Sequence, residues 1–284
     1  MIDGKLYGIS LGCNVKCMMG IPECFRKANL EIPEEGYKSW EAVEADLIKI
    51  KENGIAPVAG HVFDRDFTFE YFCLQRGETK FTGSEKAEIG FSKNTYVDYY
   101  RMWLRWEEEG RIPPYIATYM LRKQPDAEET QPEYVVSFLY SNQFEQRSEK
   151  SKYRLELLPL PGMEDVGGME IRPGMHICMS SISEHKEAAA RLIDFLINDM
   201  EANQILNAER GMPASVKVRN ALLPGFTETQ LEMARLLDFA EHHSISTGTI
   251  TGDDNRALDA GVQGGPMDAI APKIMLGPMY PQEA

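Results

Sequence analysis

The stretch "SISEHKEAAARLIDFLINDMEANQILNAERGMPASVKVRNAL", residues 181–222, decides the fold. Ala189, Leu192, Ile193 and Leu196 fall at i, i+3, i+4 and i+7, the spacing of one apolar helical face. Ser183 precedes them as the expected N-cap, and the strand expected over "MHICMSSIS" (175–183) runs straight into it. A second helix, "MEANQILNAERG", is expected to end at Gly211. The turn Gly211-Met212-Pro213 and the segment "MPASVKV" follow. The order is therefore strand, capped helix, helix, glycine–x–proline turn.

Outward from this block, strands and helices alternate. "KLYGISLG" (5–12) reads as a strand, and a short helix is expected within "PECFRKANLEIPEEGYKS". Ser39 is the expected cap of "WEAVEADLIKIKENG", whose Trp40, Val43, Leu47 and Ile50 share a face and whose end is Gly54. "IAPVAG" (55–60) reads as a short strand, and Thr68 to Gln75 as a helix. "SKNTYVDYYRMWLRWEEEGRI" predicts a strong helix with Val97, Tyr100, Trp103 and Leu104 inward and Gly110 at its end. "YVVSFLY" and "YRLELLPLPG" read as strands flanking a helix over "SNQFEQRSEK", and "TETQLEMARLLDFAEHH" as a late helix. The Gly-, Pro- and Met-rich tail predicts little regular structure. No internal repeat is present, and the alternation gives an α/β class.

Composition limits the functions available. The 284 residues are 43% hydrophobic and 26% charged, as in an ordinary globular protein. Acidic residues outnumber basic ones 44 to 30, a net charge of −14 that repels phosphate backbones and anionic lipid, so nucleic acid is not an expected partner. "MIDGKLYGISLG" lacks the basic, apolar and small-residue regions of a secretory signal.

The ordered pieces together resemble family 1 extracellular solute-binding proteins, the sugar-binding receptors of ABC importers. Residues 181–222 are similar to that family's late segment. "DGKLYGISLG" resembles its strand crossing from the first lobe to the second, and "GIPECFRKANLEIPEEGYKSWEAVEADLIKIK" its short helix followed by a Ser- or Thr-capped helix. "VVSFLYSNQF" is similar to the strand and turn that bring an aromatic residue to the sugar cleft, and "LELLPLPG" to the strand before the return crossing.

The resemblance implies a two-lobe, type II periplasmic-binding-protein-like fold with its first lobe incomplete. The second lobe is expected over residues 12–178 and 226–284, and a remnant of the first over 1–11 and 179–225. Before Met1 the family's first lobe and its secretory or lipoprotein signal have no counterpart, and "APKIMLGPMYPQEA" stops short of the family's last helix. The chain is accordingly expected to be a fragment, and the 184–222 helices are expected to lack the sheet on which they should pack. The implied function is non-enzymatic and extracytoplasmic, in the periplasm or lipid-anchored outside the membrane. A mono- or oligosaccharide is captured between lobes and delivered to an ABC transporter permease, with no cofactor. Three rivals stay open: a carbohydrate-active enzyme on the same scaffold, a cysteine–metal redox enzyme, and a ligand sensor for a membrane kinase.

Sugar receptors stack aromatic rings on pyranose faces and meet hydroxyls with planar polar groups. Four sets of residues are candidates on that chemistry. Tyr140, Asn142 and Gln143 lie at the turn after a buried strand; His61, Asp64 and Phe67 lie where the family places residues between lobes. Asn14 and Lys16 stand at the lobe crossing, and Glu170 and Arg172 precede the return strand. For each, ordinary packing or a surface ion pair is the competing explanation. Trp103 and Trp106 are expected to serve packing, and "GDDN" (252–255) a solvated turn, with Asp253 to Asn255 as further cleft candidates.

The cysteines of "ISLGCNVKCMMGIPEC" (9–24) offer a chemical alternative. Their gaps fit neither an iron–sulfur loop nor paired zinc ligands well. If the segment is a strand, as the resemblance implies, Cys13 and Cys17 share a face as small hydrophobes; a metal site or a disulfide remains the alternative. The adjacent His242 and His243 stand about 100° apart on a helix, a poor bite for one metal.

Overall fold

The computed structural model describes residues 6–55, 59, 68–82, 88–117, 133–162, 169, 171–243, 266–277 and 279–283. In chain order the elements are β1 (Ile9–Ser10), β2 (Gly12–Gly20), α1 (Pro22–Lys27), α2 (Trp40–Glu52), α3 (Phe69–Leu74), β3 (Phe81–Thr82), β4 (Glu88–Ile89) and α4 (Lys93–Glu108). Then come β5 (Val136–Tyr140), α5 (Phe144–Lys150), β6 (Glu156–Leu158), β7 (Ile171–Pro173), β8 (His176–Ile177), α6 (Lys186–Asn198) and α7 (Met200–Leu206). The last are β9 (Met212–Pro213), α8 (Val216–Leu222), α9 (Glu228–His243) and α10 (Pro266–Met275).

The main sheet is organised around β2. Four strands pair antiparallel with it: β5 along Lys16↔Tyr140 to Gly20↔Val136, β6 along Met18↔Leu158 to Gly20↔Glu156, β7 near Asn14↔Arg172, and β9 at Gly12↔Pro213. A nine-residue strand with four partners is buried on both faces, and from Val15 to Gly20 every residue of β2 is buried. β1 pairs separately with β8.

Local chemistry explains the helices. Ser39 accepts the Ala42 N–H at 3.2 Å to start α2, and Ser92 accepts the Thr95 N–H at 3.2 Å to start α4. Gly54 and Gly110, at φ +71° and +64°, take the left-handed backbone just past the ends of those helices, where glycine costs least. Trp40, Val43, Leu47 and Ile50 are all buried, as their spacing predicts. So are Val97, Tyr100 and Trp103, with Leu104 partly buried, and Trp106 is fully enclosed as well. Trp40 meets Phe72, Trp106 and Phe138 at ring-centroid distances of 6.4, 6.4 and 5.7 Å, and Trp103 meets Phe138 at 6.1 Å. This aromatic cluster carries the α2–α4 layer on one sheet face, and both tryptophans of α4 serve packing.

Several expected boundaries move. The strand expected over 175–183 is only His176–Ile177, and the cap of α6 is His185 with no side-chain cap hydrogen bond. Ser183 instead accepts the His185 N–H at 3.2 Å, a local turn that delays the helix by two residues. The second helix stops at Leu206 rather than Gly211, because Asn207 and Ala208 turn left-handed at φ +45° and +57°. The opening strand is broken at Leu11 into β1 and β2, and within 55–60 the described strand contact is one parallel bridge, Ala59↔Val136. In the tail, α10 forms despite Pro272.

The helices of 184–222 are unequally packed, since α7 buries Ala202 and Asn203 and α8 buries Val218, Arg219 and Leu222. Leu192 is 58% exposed and Phe195 47%, and Ile197 is the one buried residue of α6. Of the apolar face read from the sequence, Ala189, Ile193 and Leu196 are half-buried and Leu192 is exposed.

Candidate functional site

Alternation along β2 separates its side chains into two sets. Cys13, Val15 and Cys17 point to one face, Asn14, Lys16 and Met18 to the other. Residues directly opposite in an antiparallel pair share a face. Tyr140 therefore joins Lys16, and Arg172 joins Asn14, so four of the sequence-named residues stand together. Arg172 donates through Nη1 to the Tyr140 hydroxyl at 2.6 Å, with its guanidinium 5.7 Å from the ring centroid. α3 brings up its own polar groups: the Lys16 ammonium lies 3.9 Å from the Glu70 carboxylate and 5.6 Å from the Tyr71 ring centroid. Lys16 is only 5% exposed, so this cation sits where opposite charge and an aromatic face offset its lost hydration. The group joins an aromatic ring, a guanidinium, an ammonium and a carboxylate, a set suited to a hydroxyl-bearing ring ligand.

The remaining named residues take other places. Gln143 uses its Oε1 to accept the Tyr140 N–H at 3.0 Å, a turn-building role that fixes the end of β5. Asn142 is exposed on that turn. Ser141, which sequence reasoning did not single out, is buried and accepts the Val15 N–H at 3.0 Å, tying the turn to β2. Asn14 is wedged between two glycines: a Cβ on Gly211 would fall 2.6 Å from its Oδ1, and one on Gly174 3.2 Å from its Nδ2. His61, Asp64, Phe67 and Glu170 lie outside the described residues, as do Asp253 to Asn255. Glu70 and Tyr71 were missed, because an acid and a tyrosine inside an aromatic helix give no sign of facing a lysine some fifty residues earlier.

The cysteine strand has the geometry expected of it. Cys13 and Cys17 share the face opposite Lys16, Cys17 fully buried and Cys13 partly so. The Cys17 thiol donates to the Leu139 carbonyl at 3.4 Å, and burial raises both thiols above their ordinary range, the neutral condition in which a thiol packs as a small apolar group. Among the described residues no three His, Cys, Asp or Glu side chains converge as metal ligands. No described helix is long and apolar enough to cross a membrane. A separate cavity of about 410 Å³ lies between β6 and α9, lined by Ile32, Leu157, Glu232 and Phe239 among others, and none of the named site residues reaches it.

The whole-chain comparisons bear on the fold. Over 99% of its length the chain superposes on 70% of an extracellular solute-binding protein family 1 structure from Alicyclobacillus acidocaldarius, at TM-score 0.78 and 22% identity. It has the fold of the extracellular solute-binding proteins. A second match to this solute-binding fold is a periplasmic oligogalacturonide binding protein from Yersinia enterocolitica, at TM-score 0.76 and 19% identity, covering 100% of this chain and 71% of that one. By sequence the chain is similar to a Brucella abortus (strain 2308) protein provisionally named a binding protein, 21% identical over 243 residues. That match takes in 80% of this chain but spans only 57% of the curated relative's length. No family model matches.

Proposed function

We propose that the chain is the ligand-holding part of an extracytoplasmic receptor that captures a mono- or oligosaccharide and delivers it to an ABC import permease. The observation that carries this reading is the Lys16–Tyr140–Arg172 group on one face of the central sheet, with Glu70 and Tyr71 beside it. An aromatic ring held by a guanidinium offers a stacking surface and a hydrogen-bonding rim at once, the two needs of pyranose recognition. The saccharide ligand of the Yersinia neighbour and the fold support the same class. His61, Asp64, Phe67 and Glu170 are proposed to complete the ligand shell with Asn14. Capture without chemistry needs no cofactor, and the full-length receptor is placed in the periplasm or on a lipid anchor outside the membrane.

The proposed division follows the lobe boundaries implied by the sequence: 12–178 with 226–284 as one lobe, 1–11 with 179–225 as part of another. It is supported by the exposure of Leu192 and Phe195 on α6, while the β1–β8 ladder joins residues from the two sides of that boundary. Ligand binding would favour the closed arrangement through better affinity for it, and the permease would read that state.

A thermal melt of the chain with glucose, galactose, maltotriose and digalacturonic acid tests the reading. A ligand at one hundred times its Kd adds about 2.7 kcal/mol to native stability, which raises Tm by several degrees in a domain of this size. At least one saccharide is expected to do this, and Tyr140→Ala is expected to abolish the shift while leaving the unliganded melt cooperative. A melt unmoved by every member of a wider saccharide panel would rule the receptor reading out for this chain. Turnover of a glycoside would favour a carbohydrate-active enzyme instead.

A further inference from the structure

The cavity between β6 and α9 lies at an edge of the main sheet. β6 pairs with β2 along one side, Leu157 opposite Met19 and Leu158 opposite Met18. Among the described strands none pairs with its other side. There the Leu157 N–H turns outward and donates to Glu232 Oε2 on α9 at 3.1 Å. The carboxylate thus stands where the carbonyl of a further strand would. The space left between strand and helix is about 410 Å³, within the range of small-molecule sites.

Its lining has two chemistries. Ile32, Leu157, Leu236 and Phe239 supply an apolar floor, with Leu236 buried and Phe239 half-buried. The charged groups are Glu34, Glu35, Glu156 and Glu232 against Arg154 and Arg235. Arg154 pairs with Glu156 at 3.4 Å, which sets the other three carboxylates against one guanidinium. Among the described residues no cation forms an ion pair with Glu34, Glu35 or Glu232. Burial holds the Glu232 carboxyl above its ordinary range; the Leu157 N–H, Arg154 and Arg235 offset part of this, and Glu156 adds to it.

The backbone on the acidic side is fixed. The Gly36 N–H donates to the Pro33 carbonyl at 3.0 Å, closing a turn over Glu34 and Glu35. Gly36 takes φ +84° and passes so close to Pro159 that a Cβ would fall 2.6 Å from the proline Cγ. The Tyr37 hydroxyl then donates to Asp46 on α2 at 2.8 Å. The turn is pinned between the end of β6 and α2, so a ligand need not order it.

We propose that this cavity binds a small organic cation, its ammonium head among Glu34, Glu35 and Glu232 and its apolar body on Leu157, Leu236 and Phe239. Charge complementarity selects the head, which meets an excess of carboxylate beside an aromatic ring. The floor selects the body, because only an apolar group gains by covering it. An anion would meet the excess charge directly, and a neutral polyol would leave the Glu232 carboxylate without a counterion. Lys16, Tyr140 and Arg172 do not line this cavity, so the proposal does not rest on the receptor reading above.

An amide NMR titration of the full chain with phenethylammonium tests the site, with 2-phenylethanol and phenylacetate as neutral and anionic counterparts of the same body. The Leu157 and Phe239 amides are expected to shift together and saturate with a Kd of about 1 mM or below. The alcohol and the acid should bind at least about tenfold more weakly. Glu232→Gln keeps an oxygen for the Leu157 N–H and removes the charge, so it should weaken phenethylammonium about tenfold while leaving the unliganded melt in place. Glu34→Gln with Glu35→Gln changes only exposed side chains and should weaken it about threefold, which keeps the test independent of any folding defect at Glu232. Tyr140→Ala should leave the titration unchanged. No saturable shift up to about 10 mM, equal binding of the alcohol, or an affinity unmoved by all three carboxamide substitutions overturns the site. Binding lost in Tyr140→Ala would place the cation at the saccharide group and overturn it as well. The titration uses no saccharide, so failure of the receptor reading is seen separately, in the melts.

Discussion

α4 and α6 are both amphipathic, yet the molecule treats them in opposite ways. α4 is capped by Ser92 and buries Tyr96, Val97, Tyr99, Tyr100, Met102, Trp103 and Trp106. α6 has no side-chain cap and leaves Leu192 and Phe195 largely exposed. Regular apolar spacing states that a helix has a face to bury, but it does not state what covers that face. For α4 the partner is an aromatic cluster built from α2, α3 and β5; for α6 it is α7, whose Asn203 bonds the Leu196 and Ile197 carbonyls and which leaves Leu192 and Phe195 exposed.

The largest effect that tests this contrast is in the core of α4. Trp106 is 0% exposed, with ring centroids 6.4 Å from Trp40 and 5.2 Å from Trp103, and the Arg111 guanidinium 5.7 Å from its own. Trp106→Ala removes a large buried ring from between rigid neighbours and should cost about 3–5 kcal/mol. Chemical denaturation would measure it as a lower midpoint at unchanged slope. A cost near zero would mean that α4 is no better packed than α6, and the contrast would collapse.

The helix start gives a smaller and more local test. Ser92→Ala loses the acceptor for the Thr95 N–H and should cost about 1 kcal/mol. Ser183→Ala should cost about half of that or less, because Ser183 caps no helix and serves only a local turn to His185. Equal losses at the two serines would restore Ser183 to the capping role that its sequence position suggests.

The residues that proved legible share a physical reason. Ser39, Ser92, Gly54 and Gly110 act through their own backbone neighbourhood, so the sequence carries their meaning directly. The face of β2 is legible too, since strict alternation puts Asn14 and Lys16 together once the strand is recognised. What stayed hidden depends on distant partners. Glu70 matters because it faces Lys16, and Gly174 because Arg210 passes within 2.5 Å of where its Cβ would be. Gln143 is legible only in part: its planar amide suits a sugar hydroxyl, and its Oε1 also accepts the Tyr140 N–H to build the turn. The turn over Asn207 and Ala208 was also missed: asparagine is prone to left-handed backbone, but alanine is not, so the pair gives a weaker stop signal than Gly211.

The smallest effect is the sharpest test of α6. Leu192→Asn changes a side chain that is 58% exposed, so little apolar contact is lost, and the stability change should stay within about 0.5 kcal/mol. The same substitution on a covered helix face would cost about 2–5 kcal/mol, the range for emptying a packed leucine site. The gap between those figures is wide enough for one denaturation curve to decide. Repeating it across a tenfold range of protein concentration adds a second answer. A cost that grows with concentration would show a second copy of the chain seated on α6, since an association that buries Leu192 stabilises by mass action. A small, concentration-independent cost would show that Leu192 stays exposed in the folded chain in solution.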